Sequence, residues 1–277
     1  MEMVSAARLR RAEQRIEELR PYARGIRMMT RRAVEAAESI PNIPLLEDRE
    51  TTRRVGIVAV TADRGLAGAF NSQIIRAASR RSRELRGDGG ETLMYAIGRR
   101  GVSSLRFRGF DVEGEYTGFT DRPGFANARD VAQDVIAAYA DEKLDRVEII
   151  FNHYVSPIVQ TVESNVLLPI HQIEDVTTEG EEENGDEGND QSALWLYEPE
   201  PEEILRRLVT DYVEISIYRA MLESTASEHG ARMTAMRNAS ENASELIEDY
   251  TLEMNRQRQA EITQEIMEVV AGAEGLR

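Results

Sequence analysis

The sequence contains no cysteine among its 277 residues and only three histidines. Without cysteine the chain has no disulfide, no thiol nucleophile and no thiolate-bound zinc. His153, His171 and His229 are far apart and lack the spacing of metal ligands, so each is interpreted as an ordinary structural or surface residue. We therefore predict no metal site and no cofactor.

Long apolar runs are also missing. No stretch approaches the roughly 18 apolar residues of a transmembrane helix, and no signal peptide is recognisable. The formal net charge of −16 disfavours general binding to nucleic acid. These absences predict an intracellular protein that has no transmembrane segment and no nucleic acid partner.

Much of the negative charge lies in one segment. Residues 174–191, EDVTTEGEEENGDEGNDQ, contain nine acidic residues and no basic residue. Such a composition cannot bury apolar surface, so 173–192 are predicted to be an acidic disordered loop that folding does not require. Calcium binding is the alternative, but the EF-hand pattern of ligands is missing.

A glycine-containing stretch raises the question of nucleotide binding. TADRGLAGAFNSQII, residues 61–75, follows a strand-like run at Val55–Val60. A phosphate-binding P-loop requires Gly-x-x-x-x-Gly-Lys-Ser/Thr, and a dinucleotide fingerprint requires Gly-x-Gly-x-x-Gly. Here Gly65 and Gly68 are three apart, and Phe70-Asn71 stands in place of Lys-Ser/Thr. Neither motif is present.

The turn is therefore interpreted as structural. Its glycines permit a tight turn, and Asn71 or Ser72 is predicted to cap the following helix. Contact of Arg64 with a phosphate is the alternative. We predict no direct nucleotide binding.

The N-terminal residues 1–40 are predicted to form a coiled-coil helix. Small or apolar residues recur there at alternating spacings of three and four, with Thr30 as the one polar exception. Pro21 predicts a kink or local break, and Pro41 ends the helix.

The C-terminal residues 200–277 are predicted to form a second, longer helix. From Glu202 to Ala273 only Gly230 interrupts the helical pattern. Residues 224–232, STASEHGAR, have no large apolar group, so the seam there is either weak or closely approached by another element.

Strands and helices alternate between residues 53 and 172. This alternation predicts a Rossmann-like, mainly parallel five-stranded α/β head, in which the last two strands form an antiparallel hairpin. The predicted strands are 54–61, 92–97, 112–119, 147–154 and 159–168, and the predicted helices are 71–86, 99–108 and 125–139.

The two terminal helices flank this head. If they pair along their seams, they form a long antiparallel coiled coil. The C-terminal helix is about 30 residues longer at roughly 1.5 Å per residue, so its end projects alone as a shaft.

At this point the chain resembles the gamma subunit of the F-type ATP synthase, the central rotor shaft. The resemblance spans essentially the whole chain. Four stretches carry it: MEMVSAARLRRA at 1–12, TADRGLAGAFN at 61–71, NHYVSPIVQ at 152–160, and the C-terminal signature at 231–273.

The resemblance implies a non-catalytic subunit that is peripheral on the cytoplasmic face of a bacterial membrane. The resemblance implies that this subunit couples proton-driven rotation of the membrane c-ring to conformational change in the catalytic alpha–beta hexamer. It implies contact with a catalytic beta subunit by Arg258, Gln259, Thr263 and Gln264. It implies a shaft tip inside the hexamer sleeve, formed by Ile262, Ile266, Val269 and Val270. Contact with the ring and the epsilon subunit is expected from Trp195, Tyr197 and Glu198.

The family has a further basic helical stretch before Met-Glu-Met, so the lower shaft is expected to be short of its partner helix. Two other functions remain as alternatives. One is a nucleotide-binding α/β enzyme with helical arms, and the other is a generic coiled-coil scaffold.

Overall fold

The computed structural model describes residues 1–36, 43–46, 49, 51–170 and 201–274. The acidic segment lies outside the described residues, as do Trp195, Tyr197 and Glu198.

A five-stranded sheet forms the head. Its strands are β1 (Arg54–Val60), β2 (Glu91–Ile97), β3 (Val112–Tyr116), β4 (Arg146–Tyr154) and β5 (Gln160–Leu168). Their order is β3-β2-β1-β4-β5, and only the β4–β5 pair is antiparallel in the described sheet. The predicted mainly parallel sheet and its terminal hairpin are confirmed.

Helices cover both faces of the sheet. They are α1 (Glu2–Ala36), α2 (Phe70–Gly87), α3 (Arg99–Phe107), α4 (Phe125–Ala140) and α5 (Pro201–Glu274). Side chains of α2 and α3 pack with Ile57 and Ala59 on one face. Side chains of α1, α4 and α5 pack with Val58 and Val60 on the other. Because β1 is buried on both faces, its sequence is a continuous apolar run.

The terminal helices pack against each other in opposite directions. The guanidinium of Arg237 in α5 lies 2.9 Å from the carboxylate of Glu2 in α1. Further along, Leu9 and Ala12 of α1 pack with Ala226 of α5. The two helices are therefore antiparallel, as predicted.

Helix α1 continues through Pro21, so the predicted local break does not occur. Proline removes one backbone hydrogen bond. Ala23 and Ile26, just beyond it, are buried in the core that includes α5, and this packing holds the turn in place. Thr30, the polar exception in the seam, is buried and donates its hydroxyl to the carbonyl of Ile26 at 2.8 Å.

Helix α5 passes close to the head at Gly230. A Cβ atom at this position would lie 3.1 Å from the carbonyl oxygen of Pro157 and 3.3 Å from the amide nitrogen of Gln160. That amide already donates to the same carbonyl at 2.9 Å, so the pair cannot move apart freely. Of the two possibilities for 224–232, close approach is correct.

We expect Gly230→Val to lower the free energy of unfolding by about 2 kcal/mol, because a branched side chain overpacks this contact. Urea denaturation followed by circular dichroism measures the change. Gly25→Val is the matched control, since nothing lies within 4 Å of a Cβ at that helical glycine. Equal stability of the two variants would contradict the close approach.

Candidate functional site: the neck between head and shaft

We call residues 224–232 of α5, with the parts of the head and α1 that surround them, the neck. The neck lies at the carboxyl ends of β1 and β4. In open parallel sheets ligands bind outside the carboxyl ends of the strands, where the strand order reverses. The order here reverses between β1 and β4, because β2 and β3 lie on one side of β1 while β4 lies on the other. An α/β enzyme would hold its nucleotide at this crevice.

Helix α5 occupies that crevice. The hydroxyl of Ser224 lies 3.5 Å from the carbonyl of Val60 at the end of β1, and the hydroxyl of Ser227 donates to Asn152 of β4 at 3.1 Å. Between them, Thr225 donates to the carbonyl of Thr120 at 3.0 Å. All three hydroxyl residues are buried. The small hydroxyl side chains of α5 therefore contact backbone carbonyls at this end of the sheet, where a ligand would bind in other α/β proteins.

Little space remains beside them. A cavity of about 10 Å³ lies between α5 and the strand ends, and its lining includes Thr61, Thr120 and Glu228. A cavity of that size holds about one water molecule. A nucleotide does not fit.

The glycine-containing turn is held by an internal carboxylate. Asp63 accepts hydrogen bonds from the backbone amides of Arg99, Gly118 and Thr120 at 2.9 to 3.1 Å, and from the hydroxyl of Thr120. Burial raises the pKa of Asp63, but these hydrogen bonds outweigh it and leave the pKa below its ordinary value. Amides that a phosphate could use are thus directed at Asp63.

The predicted caps of α2 are wrong. The helix begins at Phe70, and the side-chain oxygen of Asn71 accepts from the amide of Ala62 at 2.9 Å, so it ties the turn to the strand instead. Ser72 donates its hydroxyl to the carbonyl of Ala69. Both residues lie inside the first turn, two and three positions after the N-cap residue Ala69, so neither caps the helix.

Buried charges join α5 to the head and to α1. Arg232 is paired with Glu228 and donates to the carbonyl of Gly65 at 3.2 Å. Its other terminal nitrogen lies 3.4 Å from Nδ1 of His229, whose Nε2 lies 3.8 Å from Asp121. Asp121 in turn is paired with Arg8 of α1. One chain of contacts therefore crosses three parts of the molecule.

A second group of charges joins α5 to the β4–β5 hairpin. Glu223 is bonded to Nδ1 of His153 at 2.5 Å and to Arg219 at 2.7 Å. Nearby, Tyr154 donates its hydroxyl to Glu13 of α1 at 2.5 Å. The hairpin is thereby fixed to both helices of the shaft.

The protonation of these groups follows from their surroundings. The hydrogen bond to Glu223 raises the pKa of His153. Burial raises the pKa of Glu228 despite its pairing with Arg232. Burial also lowers the pKa of His229 to about 4, so its ring is neutral at pH 7. Since arginine only donates, Nδ1 of His229 accepts from Arg232.

The paired charges of the neck hold the helices in a defined position on the head. Breaking a buried ion pair costs several kcal/mol, about 3 to 5, so such a network favours one arrangement of the helices on the head. Sequence reasoning missed Glu223, Glu228 and Arg232. Their signal was the lack of large apolar groups in 224–232, which a packed helix tolerates only where polar groups are paired.

The residues expected to contact a catalytic beta subunit lie far from the neck, on the free part of α5. All residues from 237 to 272 are exposed in the described chain. Thr263 donates to the carbonyl of Gln259 at 2.8 Å, and Gln264 donates to Glu268 at 3.0 Å. Arg258 is exposed on the same helix.

The predicted tip residues form part of this exposed surface. Ile262, Ile266, Val269 and Val270 are between 47% and 71% exposed. Large apolar side chains that recur along one exposed helix mark a surface made for a partner. The structure keeps the candidate residues of the tip together on one helix and leaves them accessible.

Comparison with known proteins gives the family. The ATP synthase family model matches residues 1–276. The ATP synthase gamma chain of Rubrobacter xylanophilus is 41% identical over the whole chain, with 91% of that relative covered. The chain belongs to the ATP synthase gamma chain family. The gamma chain of Moorella thermoacetica is 40% identical, again over the whole chain, with 92% of that relative covered.

Solved structures agree with this family. The central stalk of the Tetrahymena thermophila mitochondrial ATP synthase matches with a TM-score of 0.63 and 26% identity, over 87% of this chain and 97% of the other. A chain of the Euglena gracilis mitochondrial ATP synthase shares the fold, with a TM-score of 0.60 and 16% identity, over 98% of this chain and 95% of the other. None of the helices in the described part of the chain contains an apolar stretch that is long enough to cross a membrane.

We expect His229→Gln to reduce the decrease in the free energy of unfolding that occurs at acid pH. In the folded protein His229 stays neutral down to about pH 4, whereas the unfolded chain takes up a proton near pH 6.5. Wild-type stability therefore falls between pH 6.5 and 4, and the variant avoids about 2 to 3 kcal/mol of that loss.

Urea denaturation at several pH values measures this effect. His153→Gln gives the opposite comparison, since the raised pKa of His153 contributes stability that is complete below pH 6.5 and is lost as pH rises through that pKa. Parallel pH profiles for wild type and His229→Gln would show that His229 is not buried in its neutral form.

We expect the purified chain to bind no ATP at micromolar concentrations, because α5 fills the crevice and the carboxylate of Asp63 already accepts the backbone amides of Arg99 and Gly118. Isothermal titration calorimetry with Mg-ATP measures binding. As a control, Ser227→Trp should change the stability of the neck without creating affinity. A micromolar dissociation constant for wild type would overturn the structural reading of the turn.

Proposed function

We propose that this chain is the central-stalk rotor subunit of a proton-translocating ATP synthase, where it couples rotation of the membrane ring to conformational change in the catalytic alpha–beta hexamer. Membership of the family supports the assignment of this chain to an ATP synthase complex. The observation that carries the mechanical role is the contrast along α5, which is buried and ion-paired at the neck and exposed from 237 to 272.

The chain acts without catalysing a reaction itself. Its α/β crevice is filled by its own helix, and the charged groups of the neck pair with one another. Among the described residues no cluster suited to a metal ion is present. These observations disfavour the enzyme alternative, while the scaffold alternative does not account for the joined α/β head.

Its partners are the alpha and beta subunits, the epsilon subunit and the c-ring. The matching Tetrahymena chain belongs to a structure of the central stalk and c-ring. Through the ring, the chain would lie peripherally on the cytoplasmic face of the membrane. On the head side, Trp195, Tyr197 and Glu198 are proposed to contact the ring and the epsilon subunit, because amphipathic aromatic residues are enriched at interfaces.

The exposed end of α5 lies inside the hexamer. About 36 residues at 1.5 Å each give roughly 54 Å of helix to enter it. Ile262, Ile266 and Val269 provide an apolar surface for the sleeve. Arg258 and Gln259, with Thr263 and Gln264, face the catalytic beta subunits in turn.

An asymmetric polar surface is what such a shaft requires. One element can shift the equilibrium of another only by contacts that differ between its states. The guanidinium of Arg258 pairs with carboxylates through several donors, so it can favour one conformation of each beta subunit as it passes.

We expect Arg258→Ala with Gln259→Ala to leave folding intact and to lower ATPase turnover of the reconstituted hexamer at least about tenfold, equivalent to roughly 1.4 kcal/mol of barrier. Turnover and single-molecule rotation are the measurements. Both side chains are exposed, so stability should not change.

Arg256→Ala with Gln257→Ala is the matched control. It removes the same two residue types two positions earlier, where 3.6 residues per turn place them about 200° around the helix. Equal turnover of the two double variants would show that the position of the contact on the shaft is wrong.

A further inference from the structure

The positive charge of the head is concentrated on one face of the sheet. Residues 70–110, which include α2 and α3, contain nine arginines and three carboxylates, a net charge of +6 within a chain of net charge −16. Helices α2 and α3 contact each other and cover the same face of the sheet, so these charges lie on one side of the head. We call it the basic face, formed by the exposed residues Arg76, Arg80, Arg83, Arg86, Arg99, Arg100, Arg106 and Arg108.

Most of these guanidinium groups lack an acidic partner. Arg80 lies 3.9 Å from Glu84, and Arg106 is paired with Glu115. For the other six, no described carboxylate lies within ion-pair distance. Phe107, between two of the arginines, is 92% exposed. Like charges held together on rigid helices raise the free energy of the surface until an anion neutralises them.

The sequence contains a matching polyanion. Residues 174–191 have nine carboxylates and no basic residue, and the function proposed above gives this segment no role. Guanidinium groups are well suited to it, since each can bind a carboxylate through two parallel hydrogen bonds. Charge complementarity therefore makes this segment the best candidate for the basic face.

The described residues on either side of the segment, Ile170 and Leu205, pack on the opposite face of the sheet, in the core formed with α1, α4 and α5. The chain leaves the described sheet after β5, where Leu168 pairs with Val147 at the start of β4. The C-terminus of α2 lies at the same end of the strands. Gly90 follows the helix, and the amide of Glu91 donates to the carbonyl of Arg53 at 2.7 Å. Strand β5 is two strands away from β1, about 10 Å. To reach α2 and α3 the chain passes around β5, the edge strand of the sheet, and eighteen residues that span up to about 60 Å are long enough for this path.

We propose that the basic face of α2 and α3 is a docking surface for the acidic segment 174–191 of the same chain. Each exposed ion pair is weak, but the linkage holds the segment at an effective concentration near the millimolar range. Docking is strongest at low ionic strength and disappears at about 1 M salt, where the Debye length is about 3 Å. The inference does not depend on the role of the chain as a rotor.

The test uses the absence of cysteine from the chain, so that one engineered cysteine is labelled selectively. A nitroxide is attached to Asn184→Cys in the full-length protein, and its mobility is recorded by electron paramagnetic resonance in 20 mM and 1 M NaCl. A second label at Ser103→Cys, an exposed site on α3, gives the distance between segment and face. We expect a slow spectral component and a short-distance population at low salt, both lost at high salt.

Charge reversal separates docking from general compaction. Arg80→Glu with Arg83→Glu and Arg86→Glu should abolish the slow component at low salt. Arg10→Glu with Arg11→Glu and Arg20→Glu changes the net charge equally on exposed positions of α1, so it should preserve the slow component. Circular dichroism checks that both variants fold.

Two results would overturn the proposal. One is a label that is equally mobile at both salt concentrations. The other is loss of the slow component in both triple variants, which would indicate that net charge alone confines the segment. Addition of anionic phosphatidylglycerol vesicles to the wild type identifies a competing occupant, because immobilisation only in their presence would assign the face to lipid instead.

Discussion

The structure depends on the burial of one helical stretch, residues 224–232, between the sheet and α1. Small side chains allow the backbone of α5 to approach the hairpin at Gly230 and the strand ends at Ser224 and Ser227. A larger side chain at these positions would separate the helix from the head. Because the approach is so close, the polar groups that it buries need partners, and the hydroxyls and ion pairs of the neck supply many of them. The side-chain amide of Asn152 is an exception, since it is buried without a hydrogen-bond partner among the described residues.

This burial also explains why the crevice of this α/β fold leaves no room for a nucleotide. The order of the sheet creates a crevice between β1 and β4, which in many α/β proteins holds the ligand. Here the helix that forms the shaft takes the place of that ligand. The fold alone would have suggested the wrong chemistry, because function is determined by what occupies the crevice.

Charge is arranged differently in the three parts of the molecule. At the neck, opposite charges are buried in pairs, which fixes the angle between shaft and head. On α2 and α3, arginines are exposed together, and water and salt weaken their interactions. On the free part of α5, charged and apolar residues are exposed side by side, as expected for a surface that meets its partners in another chain.

The sequence by itself determined where the helices and strands lie and which of their faces are buried. Alternating apolar runs placed the strands within about one to three residues of their observed bounds, and the apolar spacing predicted for residues 1–40 agrees with the burial of Leu9, Ala12, Ala23 and Ile26 in α1. The motifs at the ends of the chain, with two in the head, indicated the family. Such signals are local, since the period of a strand or helix is contained in the residues that form it.

Only the tertiary structure determined which side chains pair in the neck. The partner of Arg8 is Asp121, more than 100 positions away, and Thr225 meets Thr120 across a similar separation. No spacing in the sequence relates such residues, so the roles of Asn71, Asp63 and His229 became clear only in the fold. Side-chain pairing in a buried joint depends on which surfaces the sheet and the two helices bring together, and that geometry is set by the packing of the whole chain.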